Sequence, residues 1–586
     1  MKKQLLTLGA GLALGIASSA PAYAAQDWVQ QSNEYTQIRL KADAEFNPEM
    51  AASVGLDGYD DQVFDMALDV DRRRRASLEA MIQRLEKAQA EEDSAKVRQD
   101  IQILIDDARA TLERMALEQE YLFTYFNLPQ AIFGSIHSLL QPHIDSERYP
   151  AAITRMRKYT GMADGYTSVF TLFRQHVEKD LAENPDAIGP YIKELEKDIA
   201  NSSSFIAGLR DLFTKAELEG WEPAVERFEE QLEAHNQWLE EFVKPKARKD
   251  FRMPAELYAN SLKNWGVTDW SPEELIERAT ASFFQIRLEM QALAKEIAAE
   301  RGFESDDYRD VIRELKKAQF DGEEIMPAYE DILEQLEETI EEHEIVSLPE
   351  REAIIRLASE AESAQQPAPH MQPPRLIGNT GEQGQFVLPL NNPNAESDAK
   401  MDDFTHEAAA WTLTAHEARP GHEMQFAAMV EYGVSQARML YAFNSANIEG
   451  WALYAEAVMY PYLPKEGQLF SLQMRLQRAV RAFIDPMLNL GRISREEAKA
   501  FIMNEVVLSE PMATQEVDRY TFRLPGQATA YFYGLAKLTG LRTRAEIVLG
   551  DRFKEKAFHD FILKQGLLPP DLMEKAVMED FVPSQR

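Results

Sequence analysis

The run Thr414-Ala415-His416-Glu417-Ala418-Arg419-Pro420-Gly421-His422 sets two imidazoles and a carboxylate close together in the chain. The related chemical pattern is H-E-x-x-H, in which two histidines one helical turn apart hold zinc and the glutamate acts as general base. Here the histidines stand six positions apart. Side chains four apart on an α-helix lie about 40° apart around the axis, whereas a spacing of six leaves about 120°. That is too far to share one ion on an unbroken helix. Pro420 brings no amide donor and clashes with the carbonyl of His416, and Gly421 accepts backbone angles other residues avoid. A break at Pro420-Gly421 is expected to return His422 to the face of His416.

A third ligand is expected downstream, in Asn447-Ile448-Glu449-Gly450-Trp451-Ala452-Leu453-Tyr454-Ala455-Glu456. In thermolysin-like zinc enzymes that ligand is a glutamate from a separate helix. Glu449 and Glu456 are seven apart, so a helix puts them on nearly one stripe, about 10 Å from each other along the axis. Only one of them can bind the same ion. We assign Glu449 to the metal and Glu456 to orienting a ligand histidine through a hydrogen bond.

The H-E-x-x-P-G-H run followed by E-G-W-A-x-Y-x-E resembles the bacterial domain-of-unknown-function family 885, which looks like a distant relative of the gluzincin metallopeptidases. Pro367-Ala368-Pro369 and Pro373-Pro374 resemble that family's proline-rich approach to the site. Glu516-Val517-Asp518-Arg519-Tyr520 and Pro525-Gly526-Gln527-Ala528-Thr529-Ala530-Tyr531 resemble two further blocks. The likeness covers roughly residues 250 to 550 and is weaker before that. It departs at two positions where the family often carries histidine, here Glu423 and Asn489. The first departure leaves the three ligands intact; the second bears on any substrate-stabilising role of the family histidine. The resemblance implies a zinc peptidase with a strand edge beside the metal, along which an extended peptide pairs.

Two neutral imidazoles and one carboxylate leave a bound zinc ion positively charged, with a position open to water whose pKa it lowers. Glu417 is the expected proton acceptor, returning the proton to the leaving amine. Tyr531 is the candidate donor to the developing oxyanion, with packing beside Phe532 and Tyr533 an equal alternative. Arg519 is the candidate to grip a substrate carboxylate through its planar fork. Arg478 and Arg481, three apart on one helix, are weaker candidates for the same role and are read in the first place as structural ion-pair partners. His406 is expected to pack, and the His343-Glu344 pair to be a chance feature of a charged helix.

Positioning these groups falls to helices. Apolar residues recur three and four apart from Asp60 to about Tyr125, and again over Ile192 to Lys215, Pro223 to Lys244, Pro272 to Arg301, Asp307 to Lys317 and Gly322 to Glu344. Proline, glycine and asparagine accumulate between about Ser363 and Asn394, and within that break Gly384 to Leu390 reads as a strand. The expected fold is mainly α, a large helical metallopeptidase-like fold with a small β element beside the active-site helix. Residues 1–24 read as a signal peptide, 25–250 as an N-terminal helical region and 251–586 as the catalytic region.

The signal peptide rests on Met1-Lys2-Lys3, the apolar run from Leu5 to Ile16, and Ala22-Tyr23-Ala24. It implies export, most simply to the periplasm, without stable membrane association. The 586 residues contain no cysteine, which excludes disulfides, thiolate zinc sites and a lipid-anchored form. A net charge of −35 excludes nucleic acid as a partner, since phosphate binding needs a basic surface. The expected function is hydrolysis of small peptides with one zinc ion. A metal-dependent amide or ester hydrolase of non-peptide substrates, and a non-catalytic periplasmic binding protein, are the alternatives.

Overall fold

Helices α1 (Asp27–Ala44), α2 (Val70–Glu91) and α3 (Ala95–Tyr121) begin the computed structural model. It describes residues 27–586 except 142–143, 321, 323, 360–361, 364–365, 367 and 391–400. The expected signal peptide lies outside the described residues. On α3, Val97, Ile101, Leu104, Ile105 and Ala108 form one buried stripe that meets Leu78, Met81, Ile82 and Leu85 of α2. The helical run expected from Asp60 is shorter than its periodicity suggests. Residues 60–69 are not helical, and the run divides at Ser94, whose side chain accepts from the amide of Val97 and restarts the helix.

Helices Leu128–Leu139, Pro150–Tyr159, Val169–Glu183, Ile192–Lys215 and Glu222–Trp238 enclose a second core around the fully buried Phe133, Phe173, Phe213 and Phe228. A larger core runs through the rest of the chain. It is organised around the pair α4 (Pro272–Arg301) and α9 (Lys465–Asn489), which pack along each other, and α5 (Ile325–Glu342) contributes to the same core. Ser271 and Glu274 form a reciprocal cap that starts α4. Helix α9 is buried on nearly every side, enclosed by α4, by α6 (Glu407–Glu417) and by α10 (Thr529–Leu549). Its polar residues Gln477, Arg478, Arg481 and Asp485 are therefore interior residues.

The β element is a three-stranded sheet in the order β1-β3-β2, with β1 Ile354–Leu357, β2 His370–Gln372 and β3 Gln385–Leu388. Strand β3 pairs parallel to β1 with Ile355 opposite Phe386, and antiparallel to β2 with Met371 opposite Phe386. The strand expected over Gly384 to Leu390 is thus the central one. Both of its edges are already paired, so the expected open edge beside the site is not on this strand. The fold is mainly α. Among the described residues no helix is long and apolar enough to cross a membrane.

Candidate active site

The helix expected to break at Pro420-Gly421 does break there. α6 ends at Glu417 and α7 (His422–Tyr432) begins at His422. Between them the Arg419–Pro420 peptide is cis. Gly421 is required by close approach and not by an unusual φ: a Cβ there would fall 1.9 Å from the carbonyl oxygen of His416. Two contacts hold the interruption. Trp451 Nε1 donates to the carbonyl of Pro420 at 2.9 Å. Arg419 ties the start of α7 to its surroundings, donating to Glu423 at 2.8 Å and to Glu337 at 2.5 Å. Glu423, which stands where the family often has histidine, is fully buried in this clamp.

This turn brings the His416 and His422 rings to 4.7 Å between centroids, nearly perpendicular at 83°. Glu449 enters from α8 (Ser445–Met459), with Oε2 3.2 Å from His422 Nε2 and 3.7 Å from His416 Nε2. One donor atom from each of the three residues lies within 4.8 Å of the others. Around a tetrahedral ion with bonds of about 2.1 Å, ligand atoms stand roughly 3.4 Å apart, so the donors fit a zinc-sized cation. Glu449 Oε2 is buried and receives no hydrogen bond of good geometry from the described residues, as a ligand oxygen would be.

His416 is also oriented for that role. Its Nδ1 meets Glu456 Oε1 at 2.7 Å, and Thr412 donates to the other oxygen of Glu456 at 3.1 Å. With Nδ1–H donated to a carboxylate, Nε2 presents its lone pair to the cluster. His422 lacks such support among the described residues, where its buried Nδ1 has no acceptor. Burial pushes the His416 imidazole toward the neutral form, yet the carboxylates of Glu449, Glu456 and Glu417 outweigh it and bring its pKa to about 9. A cation bound there competes with that proton. Glu417 lies beside the cluster, its Oε1 3.9 Å from His416 Nε2.

The cluster opens into a cavity of about 580 Å³. Met371 of β2 lines it, and so do Leu40, Met50 and Val54 of the N-terminal region. The side chains expected to serve substrate line the same cavity: Tyr531, Arg519, Arg478 and Arg481. Tyr531 does not join the aromatic packing of its neighbour Tyr533, which bonds to Asp269. Its ring is instead surrounded by guanidinium groups, with Arg481, Arg519 and Arg478 centred 4.5, 5.3 and 5.7 Å from its centroid. Arg519 Nη2 donates to the Tyr531 hydroxyl at 2.9 Å and also bonds to Gln527. Burial raises the pKa of that hydroxyl against the pull of the arginines, so it is protonated near neutrality.

Arg481 is an ion-pair partner as expected, gripping Glu516 through two bonds of 2.6 and 2.7 Å. Arg478 departs from that expectation. Its acceptors among the described residues are Met474 and the side-chain oxygen of Gln477, with no carboxylate. His406 is packed, its ring 4.6 Å from that of Phe470 and its Nδ1 capping α6. His343 follows the end of α5 and packs against Tyr462 with ring centroids 4.3 Å apart and the planes tilted by 31°. Asn489 donates to Asp485 and to the carbonyl of Tyr520 at 3.0 Å. Asp485 in turn accepts from the amide of Gly526 at 2.9 Å and from Tyr258. This places Asn489 in the support of the turn that precedes Tyr531.

Sequence reasoning missed two supports. Gln527 links Arg519 to Ser445, at the start of the helix that carries Glu449. Trp451 bonds to the break between the two histidines. Both lie in the blocks quoted above, but neither residue type announces its partner.

Two solved structures share the fold. One is described as a putative lipoprotein from Colwellia psychrerythraea, 19% identical, with a TM-score of 0.74 over 95% of this chain and 98% of that one. The other is described as a putative lipoprotein of unknown function from Shewanella oneidensis, 17% identical, with a TM-score of 0.68 over 94% and 100%. No curated protein matches the sequence. The model of the family described as bacterial protein of unknown function (DUF885) matches residues 48–577, nearly the whole described chain, and this protein belongs to that family.

Proposed function

We propose that this protein hydrolyses amide bonds in short peptides, using one zinc ion held by His416, His422 and Glu449. The observation that carries this reading is the convergence of those three donors at the wall of a cavity, with Glu417 beside them. A bound zinc ion supplies positive charge that polarises a carbonyl and lets a water lose a proton near neutral pH. Glu417 takes that proton on its carboxylate and passes it to the leaving nitrogen. The Tyr531 hydroxyl, steered by Arg519, donates to the carbonyl oxygen as negative charge develops there. Glu456 holds His416 in the tautomer that offers Nε2.

A cavity of about 580 Å³ suits a few residues of peptide, not a folded protein. Export is part of the reading, supported by the residues of the signal peptide and by the description of both structural neighbours as lipoproteins. Lipid attachment through cysteine has no residue to use in this sequence.

The test is metal analysis of the purified protein together with mass spectrometry of products from mixed peptides. Glu417→Gln keeps zinc and loses turnover by on the order of 10² to 10⁴. Glu449→Gln loses metal affinity first, and its activity partly returns in excess zinc. Equal loss of zinc in both variants overturns the assignment of roles. A zinc-loaded protein that releases no product from any peptide overturns the activity.

A further inference from the structure

Three arginines crowd around Tyr531, and their charges are not balanced. Among the described residues, Arg478, Arg481 and Arg519 share one carboxylate at ion-pair distance, that of Glu516, which Arg481 grips bidentately and Arg519 approaches at 3.9 Å, while Glu449 and Asp485 act on Arg519 only from farther off. Arg478 is 6% exposed and Arg481 4%, so water does little to solvate either charge. Unpaired charge in such a place is costly and calls for a counter-charge. The unused donors are specific. Arg478 Nε, Arg481 Nη1, Arg519 Nε and Gln477 Nε2 are all buried without an acceptor among the described residues. All four side chains line the cavity that holds His416, Glu417, His422 and Glu449.

We infer that these donors form a subsite for the α-carboxylate at the C-terminal end of the substrate, with Arg478 as its principal ligand. The inference rests on the peptidase reading of the same cavity. Arg478 is singled out because Arg481 is committed to Glu516, and Arg519 spends a nitrogen on Tyr531 and Gln527. A guanidinium presents a planar fork that matches a carboxylate, and the bonds strengthen where water is excluded. The terminal carboxylate is favoured over an acidic side chain by the size of the cavity. A space of about 580 Å³ that contains both the metal ligands and the arginines accommodates the end of a chain better than its middle. The bond cut is then close to the C-terminus, and the substrate class is short peptides with a free acid end.

The test separates recognition from turnover by using zinc-loaded full-length Glu417→Gln in calorimetry. Three acetylated pentapeptides with otherwise uncharged side chains serve as probes: a free acid, its C-terminal amide, and an amide ending in glutamate. The free acid is expected to bind roughly 10- to 100-fold more tightly than the plain amide. That preference should vanish when Arg478→Gln is added and persist in part with Arg478→Lys. Equal binding of acid and amide, binding of neither, or a preference untouched by Arg478→Gln overturns the subsite. A glutamate-ended amide that binds as well as the free acid overturns the choice of the α-carboxylate. The acid-to-amide comparison needs no Arg478 variant, so a misfolded variant does not leave the matter open. Parallel digestion by the zinc-loaded parent protein distinguishes the two readings. Equal cleavage of acid and amide removes the subsite and keeps the peptidase. A binding preference without cleavage of any peptide keeps the subsite and removes the peptidase.

Discussion

Gly450 and Gly534 touch backbone to backbone where α8 crosses α10. A Cβ on Gly450 would lie 2.6 Å from the carbonyl carbon of Gly534, and one on Gly534 would lie 1.9 Å from the carbonyl oxygen of Ala446. This crossing lets Glu449, the neighbour of Gly450, share a cavity with Tyr531, one turn before Gly534. Gly534→Ala is expected to force the helices apart, lowering stability by about 1–3 kcal/mol. Turnover should fall further than the stability loss explains, because Tyr531 moves relative to Glu449. Thermal unfolding and kcat of the same preparation check this, and an unchanged melting temperature would remove the crossing from the account.

In the proposed zinc site, Glu456 would act on the metal through its bond to His416. Glu456→Ala is expected to weaken zinc binding about 10- to 100-fold, measured by competition with a chelator. Glu456→Gln retains an acceptor for Nδ1–H and should lose less. If both variants bind zinc like the parent, the bond between Glu456 and His416 serves packing alone.

The Arg481–Glu516 pair makes a prediction about pH. Burial opposes ionisation of Glu516, but Arg481 outweighs it and holds the carboxyl down to about 2. A carboxylate whose folded pKa is depressed stabilises the protein fully above its unfolded pKa of about 4.3, and the contribution is lost as pH falls toward the folded value. Between about pH 4.5 and 2 the parent should therefore lose stability that Glu516→Gln does not have to lose. At neutral pH the variant should be less stable by about 3–5 kcal/mol, because Arg481 is left buried without its partner. Melting temperatures of the two proteins across that pH range test both statements. Parallel curves would show that the pair contributes no pH-dependent stability.

Gly421 separates geometry from composition. Gly421→Ala preserves both histidines yet places a methyl group against the carbonyl of His416. The turn must shift, and the His416–His422 approach shifts with it. Zinc affinity is expected to drop while the helix content measured by circular dichroism stays near that of the parent. Retained affinity would mean that the turn relaxes without moving the rings.

The exported protein is expected to begin near Ala25, after Ala22-Tyr23-Ala24. N-terminal sequencing of material from the cell envelope decides this. A start well beyond Gln26, or retention of Met1, counts against a cleaved signal peptide.

Much of the site is legible in one dimension because its parts are short-range. The interruption between His416 and His422 follows from local sterics: proline cannot continue the helix, and only glycine fits beneath the carbonyl of His416. The pairing of Glu456 with His416 follows from helix geometry once Glu449 is given to the metal, because a stripe seven residues long reaches one site and its support. The helical class follows from apolar spacing, which depends on neighbours within a turn or two.

What the tertiary structure decided depends on residues far apart in the chain. Strand β3 reads as a strand from its own residues, but its central place between β1 and β2 is a matter of pairing partners. Leu40, Met50 and Val54 line the cavity although they lie hundreds of residues from the histidines. Periodicity identifies a buried face without naming what covers it. The same holds for the arginines of α9. Sequence spacing makes Arg478 and Arg481 look alike, and only the fold brings Glu516 to one of them and leaves the other without a carboxylate. Charge balance in the interior is a long-range property, because it is set by which distant side chains converge.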